Sequence, residues 1–352
     1  MKLDEKKLEE FMGRAVGDFG ATLNTILVVL GDRLGLYKAM AGAGPLTSAQ
    51  LAERTELAER YVREWLAAQA AGGYVTYDAR TGAYTLPPEQ AMALADEQSH
   101  VYLQGGFNLC FSLMNDEAKI REAFRSGKGV GWHEHHPGLF EGTEKFFRPT
   151  YAAHLVGEWI PALNGTKESL ERGARVADVG CGFGASTIIM AQAFPKSTFV
   201  GYDYHPLSIE KARERAKRAK VSDRVEFQIS TAKEFPGKDY ALITFFDCLH
   251  DMGDPAGAAA HAREGLRKDG ALLVVEPLAG DRVEENLNPV GRVYYAASTL
   301  VCTPSSLAQE RALGLGAQAG ESRLAGVLRE GGFAQVRRVA ETPFNMVLEA
   351  RV

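Results

Sequence analysis

The sequence predicts an α/β fold: a parallel sheet covered by helices on both faces, with an antiparallel last strand, behind a mainly helical N-terminal region. Two patterns carry this. From residue 173, apolar runs (RVADVG, STFVGYDY, RVEFQIS, YALITFFD, ALLVVEP) alternate with helical stretches. Near-continuous apolar strands separated by helices mean a sheet buried on both sides. The final runs, QVRRVAE and FNMVLEARV, are separated only by Thr342-Pro343. No crossover helix fits there, so the last strand must run antiparallel.

Taken in order, residues 3–19 read as a charged helix with Leu3, Leu8, Phe11, Val16 and Phe19, and residues 21–40 as a second, more apolar one. Gly42, Gly44 and Pro45 break it. Thr47 or Ser48 caps the next helix, SAQLAERT. A further helix over 58–71 carries Tyr61, Val62, Trp65 and Leu66 at helical spacing. YVTYD and AYTL then alternate as a small hairpin. Helix, turn, helix and hairpin make a winged-helix arrangement. Residues 100–170 form a connector rich in glycine and aromatics.

Winged helices often bind DNA, but the charge here does not favour it. Residues 47–86 hold four arginines against five acids. DNA binding depends mainly on phosphate neutralisation. The whole chain of 352 residues has a formal net charge of −5. A dimerisation or lid role is therefore expected for this region, with no nucleic-acid partner. The four cysteines form no CxxC pair, so no zinc knuckle or disulfide framework is indicated. The strongest apolar run, Ile26 to Leu30, is too short for a bilayer. A cytoplasmic protein with no membrane partner is expected.

The sharpest motif is Asp178-Val-Gly180-Cys-Gly182-Phe-Gly184, where the first apolar run meets a helix. Ligands of open α/β sheets bind at that edge, and glycine lets backbone turn tightly against them. Asp203, at the end of the second run, suits a ribose hydroxyl pair. A dinucleotide is the rival ligand. However, the glycine spacing is GxGxG, and Asp178 places a carboxylate where pyrophosphate would lie. That carboxylate suits an ammonium or sulfonium group.

These residues resemble the class I S-adenosylmethionine-dependent methyltransferases over about residues 173–352. The resemblance implies a Rossmann-like seven-stranded methyltransferase sheet of order 3-2-1-4-5-7-6 and S-adenosyl-L-methionine as cofactor. It places Asp178, Gly180, Gly182 and Gly184 at the amino-acid end of the cofactor, Asp203 at the ribose, and Thr231 and Ala232 near the adenine. Asp247 joins this cofactor set. Tyr151, with Phe147 and Arg148, would cover it. The domains follow as 1–100 for the winged-helix dimerisation region, 101–172 for the connector and 173–352 for the cofactor domain.

Phe246-Asp247-Cys248-Leu249-His250-Asp251-Met252 resembles the His-Asp-Trp segment of winged-helix small-molecule O-methyltransferases, with Met252 in place of Trp. In that family the histidine removes the acceptor's proton, and imidazole suits the task because its ordinary pKa is about 6.5. His250, Asp251 and an orienting carboxylate, Glu276 or Glu321, are the catalytic candidates. Two further segments supply acceptor contacts. The Trp132-His133-Glu134-His135-His136 run offers His133 and His136 for substrate; it lacks HExxH spacing, so no metal is assigned. An insertion after the fifth strand offers Tyr294, Tyr295 and Cys302.

The expected function is methyl transfer to a small acceptor by a homodimer, O-methylation first. N-methylation, metal-assisted C-methylation and a non-catalytic regulator that binds S-adenosylmethionine or DNA remain alternatives.

Overall fold

A computed structural model describes residues 3–352. The chain forms two compact units. One comprises the stretch up to Met114 together with Pro137–Pro149; the other comprises Asn115–His136 and Thr150–Val352.

In the first unit the two expected N-terminal helices are one. Helix α1 runs unbroken over Glu5–Arg33, with Asp4 as its side-chain cap. Gly20 does not end it, because a lone glycine costs a helix only about 1 kcal/mol. The break comes at Gly35, whose φ of 72° is left-handed, and α2 (Leu36–Met40) follows. Thr47 caps α3 (Ser48–Thr55) in a reciprocal capping box with Gln50. Helix α4 spans Glu59–Ala71. The hairpin pairs β1 (Thr76–Asp78) with β2 (Ala83–Thr85).

Leu36, Tyr37, Met40, Leu51, Val62, Trp65 and Leu66 form this unit's core. Gly31 lets α1 approach closely: a Cβ there would lie 2.6 Å from the Trp65 and Tyr37 rings. On α4, Arg60 and Arg63 pair with Glu64 and Glu59 of their own helix, so no basic face is presented. Helix α1 also carries an exposed apolar stripe, Leu8, Met12, Val16, Phe19 and Leu23, spaced three or four residues apart. By length and composition alone α1 could cross a membrane, with an 18-residue window of mean hydropathy 1.2.

In the second unit, β3 (Arg175–Val179), β4 (Thr198–Asp203), β5 (Val225–Ile229), β6 (Tyr240–Phe246), β7 (Leu266–Pro277), β8 (Gln335–Glu341) and β9 (Asn345–Arg351) form one sheet. Its order is β5-β4-β3-β6-β7-β9-β8, the 3-2-1-4-5-7-6 order expected from the resemblance. Strand β9 runs antiparallel to both β7 and β8. Every residue of β6 is buried, as an apolar central strand requires. Phe245, Leu272, Val274 and Leu348 sit in the core with Leu324 and Leu328 of the helix Glu321–Glu330. Each such side chain contributes roughly 1.5–3 kcal/mol by leaving water. Register places the carboxyl ends of β3, β4, β6 and β7 along one edge: Asp178 lies opposite Gly201 and Thr244, and Phe246 opposite Val275.

Candidate active site

The glycine turn leaves β3 at that edge. Gly180, Gly182 and Gly184 all have positive φ, and they do different work. A Cβ at Gly180 would meet Cys248 Sγ at 2.7 Å, and one at Gly184 would meet the Phe227 ring at 2.5 Å. Those two glycines let the turn pack on its neighbours. A Cβ at Gly182 would meet nothing within 4 Å, so there the backbone is open for a ligand to approach.

Both acids of the motif are buried and engaged. Asp178 accepts hydrogen bonds from Ser186 (2.6 Å), Thr187 (2.5 Å) and Thr244 (2.9 Å). Burial raises its carboxyl above the ordinary range despite those three donors. Asp178 thus ties strand ends to the helix Ala185–Ala193 that follows the turn. Asp203 Oδ2 accepts from Gly182 N, and its Oδ1 from His205 N, each at 2.9 Å. The second strand end therefore holds the open part of the turn in place. Thr231 bonds Glu234 at 2.9 Å on the surface, and Ala232 packs at the edge of the core.

Strand β6 ends in a sharp turn, with Asp247 at φ 49°. Tyr151 donates to Asp247 Oδ2 (2.6 Å) and Asn345 Nδ2 to its Oδ1 (2.8 Å). Tyr151 and Asp247 thus meet each other, with Asn345 of β9 as a third member absent from the sequence reading. Burial pushes the Asp247 carboxyl up to about 8.

One turn later lies the densest cluster. His250 is buried, and its Nδ1 faces Glu276 Oε2 at the end of β7. Glu276 Oε1 also accepts from Leu249 N at 2.9 Å. The other ring nitrogen, Nε2, lies 3.1 Å from Asp251 Oδ1. That contact lacks hydrogen-bond geometry, so the buried Oδ1 has no hydrogen-bond partner. Burial opposes charge on His250, but Glu276 and Asp251 outweigh it and hold the imidazole well above its ordinary pKa. Cys302 lies against both His250 and Asp251, and burial pushes its thiol up to about 12. Ligand atoms of His250, Asp251 and Cys302 lie within 4.8 Å of one another, a group that could hold a metal ion.

Glu276 therefore stands beside His250, and Glu321 does not. Glu321 opens the helix Glu321–Glu330 and pairs with Arg338 on β8, 2.8 Å away, at the surface. Tyr294 is buried and donates to the Phe344 carbonyl at 2.9 Å, which leaves its ring rather than its hydroxyl for apolar contact. Tyr295, one position on, is half-buried. His133 is exposed, its ring centroid 6.3 Å from that of Tyr204 in an edge-on arrangement. His136 is exposed too, and its backbone N–H donates to Asp116 at 2.9 Å. The buried histidine of that run is His135.

Residues 170–316 match the model of a methyltransferase domain, and residues 21–96 match that of an Rv2258c-like winged HTH domain. The chain therefore carries a methyltransferase domain behind a winged-helix domain. S-adenosylmethionine is accordingly its cofactor, and the open backbone at Gly182 is a cradle that fits it. Over 139 residues, 37% of this chain, it is 32% identical to 27-O-demethylrifamycin SV methyltransferase of Amycolatopsis mediterranei. That match spans about half (51%) of the relative's length. Solved structures share the fold along nearly the whole chain. Mitomycin 7-O-methyltransferase superposes with a TM-score of 0.70 at 19% identity, covering 99% of each chain. Human N-acetylserotonin methyltransferase gives 0.66 at 16%, covering 97% of each.

Proposed function

We propose that the protein transfers a methyl group to a hydroxyl of a small molecule, with His250 as the proton acceptor and Glu276 as its orienter. One observation carries this reading. The Glu276 carboxylate grips Nδ1 of a buried histidine at the sheet edge, one strand from the glycine turn. Bound S-adenosylmethionine supplies a methyl group already activated by its sulfonium. The chain's own residues then have two tasks: to align the acceptor oxygen with that methyl, and to remove the oxygen's proton.

His250 performs the second task together with Asp251. Glu276 fixes the ring, and the proton of the acceptor passes to the Nε2–Asp251 side. Asp178 and Asp203 perform the first task indirectly, by holding the turn whose Gly182 faces the cofactor. The rifamycin relative and the fold neighbours named as O-methyltransferases support a hydroxyl over a nitrogen. Measuring S-adenosylhomocysteine release over a panel of phenols, alcohols and amines tests the reading. Turnover of amines alone would overturn it. A second reading, metal-assisted C-methylation, is favoured only by the proximity of His250, Asp251 and Cys302; elemental analysis of the purified protein decides it.

A homodimer in the cytoplasm is the proposed working form. The apolar stripe of α1 is the surface a second copy would cover, since exposed apolar patches of this kind mark interfaces. Val16→Glu with Phe19→Glu is expected to convert the dimer to a monomer in sedimentation. A monomeric wild-type protein would exclude it.

A further inference from the structure

His135 is fully buried, and no step above uses it. Its Nδ1 lies 3.0 Å from Asp116 Oδ2. Asp116 also receives Lys119 Nζ at 2.8 Å and His136 N at 2.9 Å. Burial opposes ionisation of Asp116, but these donors outweigh it and hold its carboxyl below the ordinary range. An ionised carboxylate can only accept, so the His135 proton sits on Nδ1. Burial also lowers the pKa of His135 itself, which keeps the ring neutral. Its Nε2 is therefore a bare acceptor, buried and without a partner. A buried polar atom left unpaired is destabilising unless something binds it.

The loop that carries His135 crosses the functional edge of the sheet. At one end, Val130 N donates to Pro304 O at 3.0 Å, two residues past Cys302. At the other, the Trp132 backbone hydrogen-bonds Tyr204, next to Asp203. His135 and Asp251 feel each other's charge. Asp251 Oδ1 is the second buried atom here without a hydrogen-bond partner. A bare acceptor on a segment beside the His250–Asp251 pair calls for a ligand with a second donor next to its reacting hydroxyl.

We propose that His135, fixed by Asp116, is an acceptor-contact residue whose Nε2 takes a hydrogen bond from a hydroxyl or amino group adjacent to the methylated hydroxyl. The acceptor class is then a vicinal donor pair, such as a catechol or a 2-aminophenol. This rests on the O-methyl transfer proposed above. His250 and Asp251 handle the reacting hydroxyl, and His135 reads its neighbour. Sites built to bond a polar group strongly reject analogues that lack it.

The experiment compares catechol with phenol as acceptors for wild type, His135→Ala and His135→Gln. Folding of each is checked by circular dichroism, and cofactor binding by calorimetry. Wild type is expected to favour catechol at least ~10-fold in kcat/KM. His135→Ala should bring that ratio near one, mainly through KM. His135→Gln should restore much of it, because an amide oxygen accepts a hydrogen bond. In parallel, ¹⁵N NMR of histidine-labelled protein should show His135 as the Nδ1–H tautomer. Equal ratios in wild type and His135→Ala, turnover of other hydroxyl compounds but of neither probe, or an Nε2–H tautomer would each overturn the proposal. A protein with a bare His135 Nε2 that methylates nothing would instead refute the reaction assignment on which the proposal rests.

Discussion

The proposed cofactor side and the proposed acceptor side of the sheet edge are built on opposite rules. Around the glycine turn every acid is consumed by the protein itself. Asp178 is held by three hydroxyls and Asp203 by two backbone N–H groups. The backbone at Gly182 stays open for a ligand. On the proposed acceptor side the reverse holds: His135 Nε2 and Asp251 Oδ1 are buried without hydrogen-bond partners. A closed, satisfied network suits a ligand that never changes. Unpaired polar atoms suit a site whose partner arrives with the substrate, because that partner completes the bonds.

The largest test of this contrast strikes the open backbone. Gly182→Trp is expected to abolish calorimetric binding of S-adenosylmethionine, by ~100-fold or more, which is about 2.7 kcal/mol. The circular-dichroism spectrum should persist, since a Cβ there meets nothing within 4 Å; the left-handed φ adds only about 1–2 kcal/mol of strain. Gly184→Ala should fail in the other manner, as lost stability, because its Cβ falls 2.5 Å from Phe227. Unchanged affinity in Gly182→Trp would remove the turn from the cofactor site.

Next in size is the acceptor side. His250→Ala should lower turnover by about 10²–10⁴-fold with cofactor affinity nearly unchanged. His250→Asn should be almost as poor, since an amide cannot take the proton. The pH profile gives the sign. Glu276 and Asp251 raise the His250 pKa, so the basic form is reached only above the usual imidazole range. Turnover of wild type should then climb on the alkaline side of pH 6.5. Glu276→Gln removes one of the charges that retain the proton, and should shift that limb to lower pH. A limb in the same place in Glu276→Gln would show that His250 does not set it.

Asp247 sharpens the comparison through stability. Its folded pKa, about 8, lies above the unfolded value near 3.9. Its contribution is therefore fully present below about pH 4 and is lost as pH rises through 8. Between pH 6 and 9 the melting temperature of wild type should fall by more than that of Asp247→Asn. Equal slopes would mean that Tyr151 and Asn345 keep the carboxyl ionised. The smallest effect belongs to Glu321→Ala. That residue's ion pair with Arg338 is at the surface, so its loss should cost under about 1 kcal/mol. Turnover should not change.

How much of this could be read from the chain follows the range of the forces involved. Apolar runs alternating with helices predicted the sheet. The two-residue link Thr342-Pro343 predicted its antiparallel strand, because a dozen residues are needed to cross over. The glycine motif and Asp203 were legible because backbone turns are local and glycine is their chemical signature. His250 with Glu276 was legible by resemblance. Glu321 was misplaced because helix Glu321–Glu330 turns it toward β8. The break between two N-terminal helices was misread because one glycine is a weak breaker.

The sequence by itself determined the order of the elements, the glycine turn and the acids at its strand ends, through periodicity and local turn chemistry. Tertiary structure alone decided which of three neighbouring histidines is buried, and which of two glutamates reaches His250. It also decided that Tyr151 and Asn345 share Asp247, and that Cys302 joins Asp251. Those pairs lie 26 to 98 residues apart. Their contacts form only where packing of the whole sheet brings strand ends and loops together, and no local pattern records which partner a buried polar atom will find.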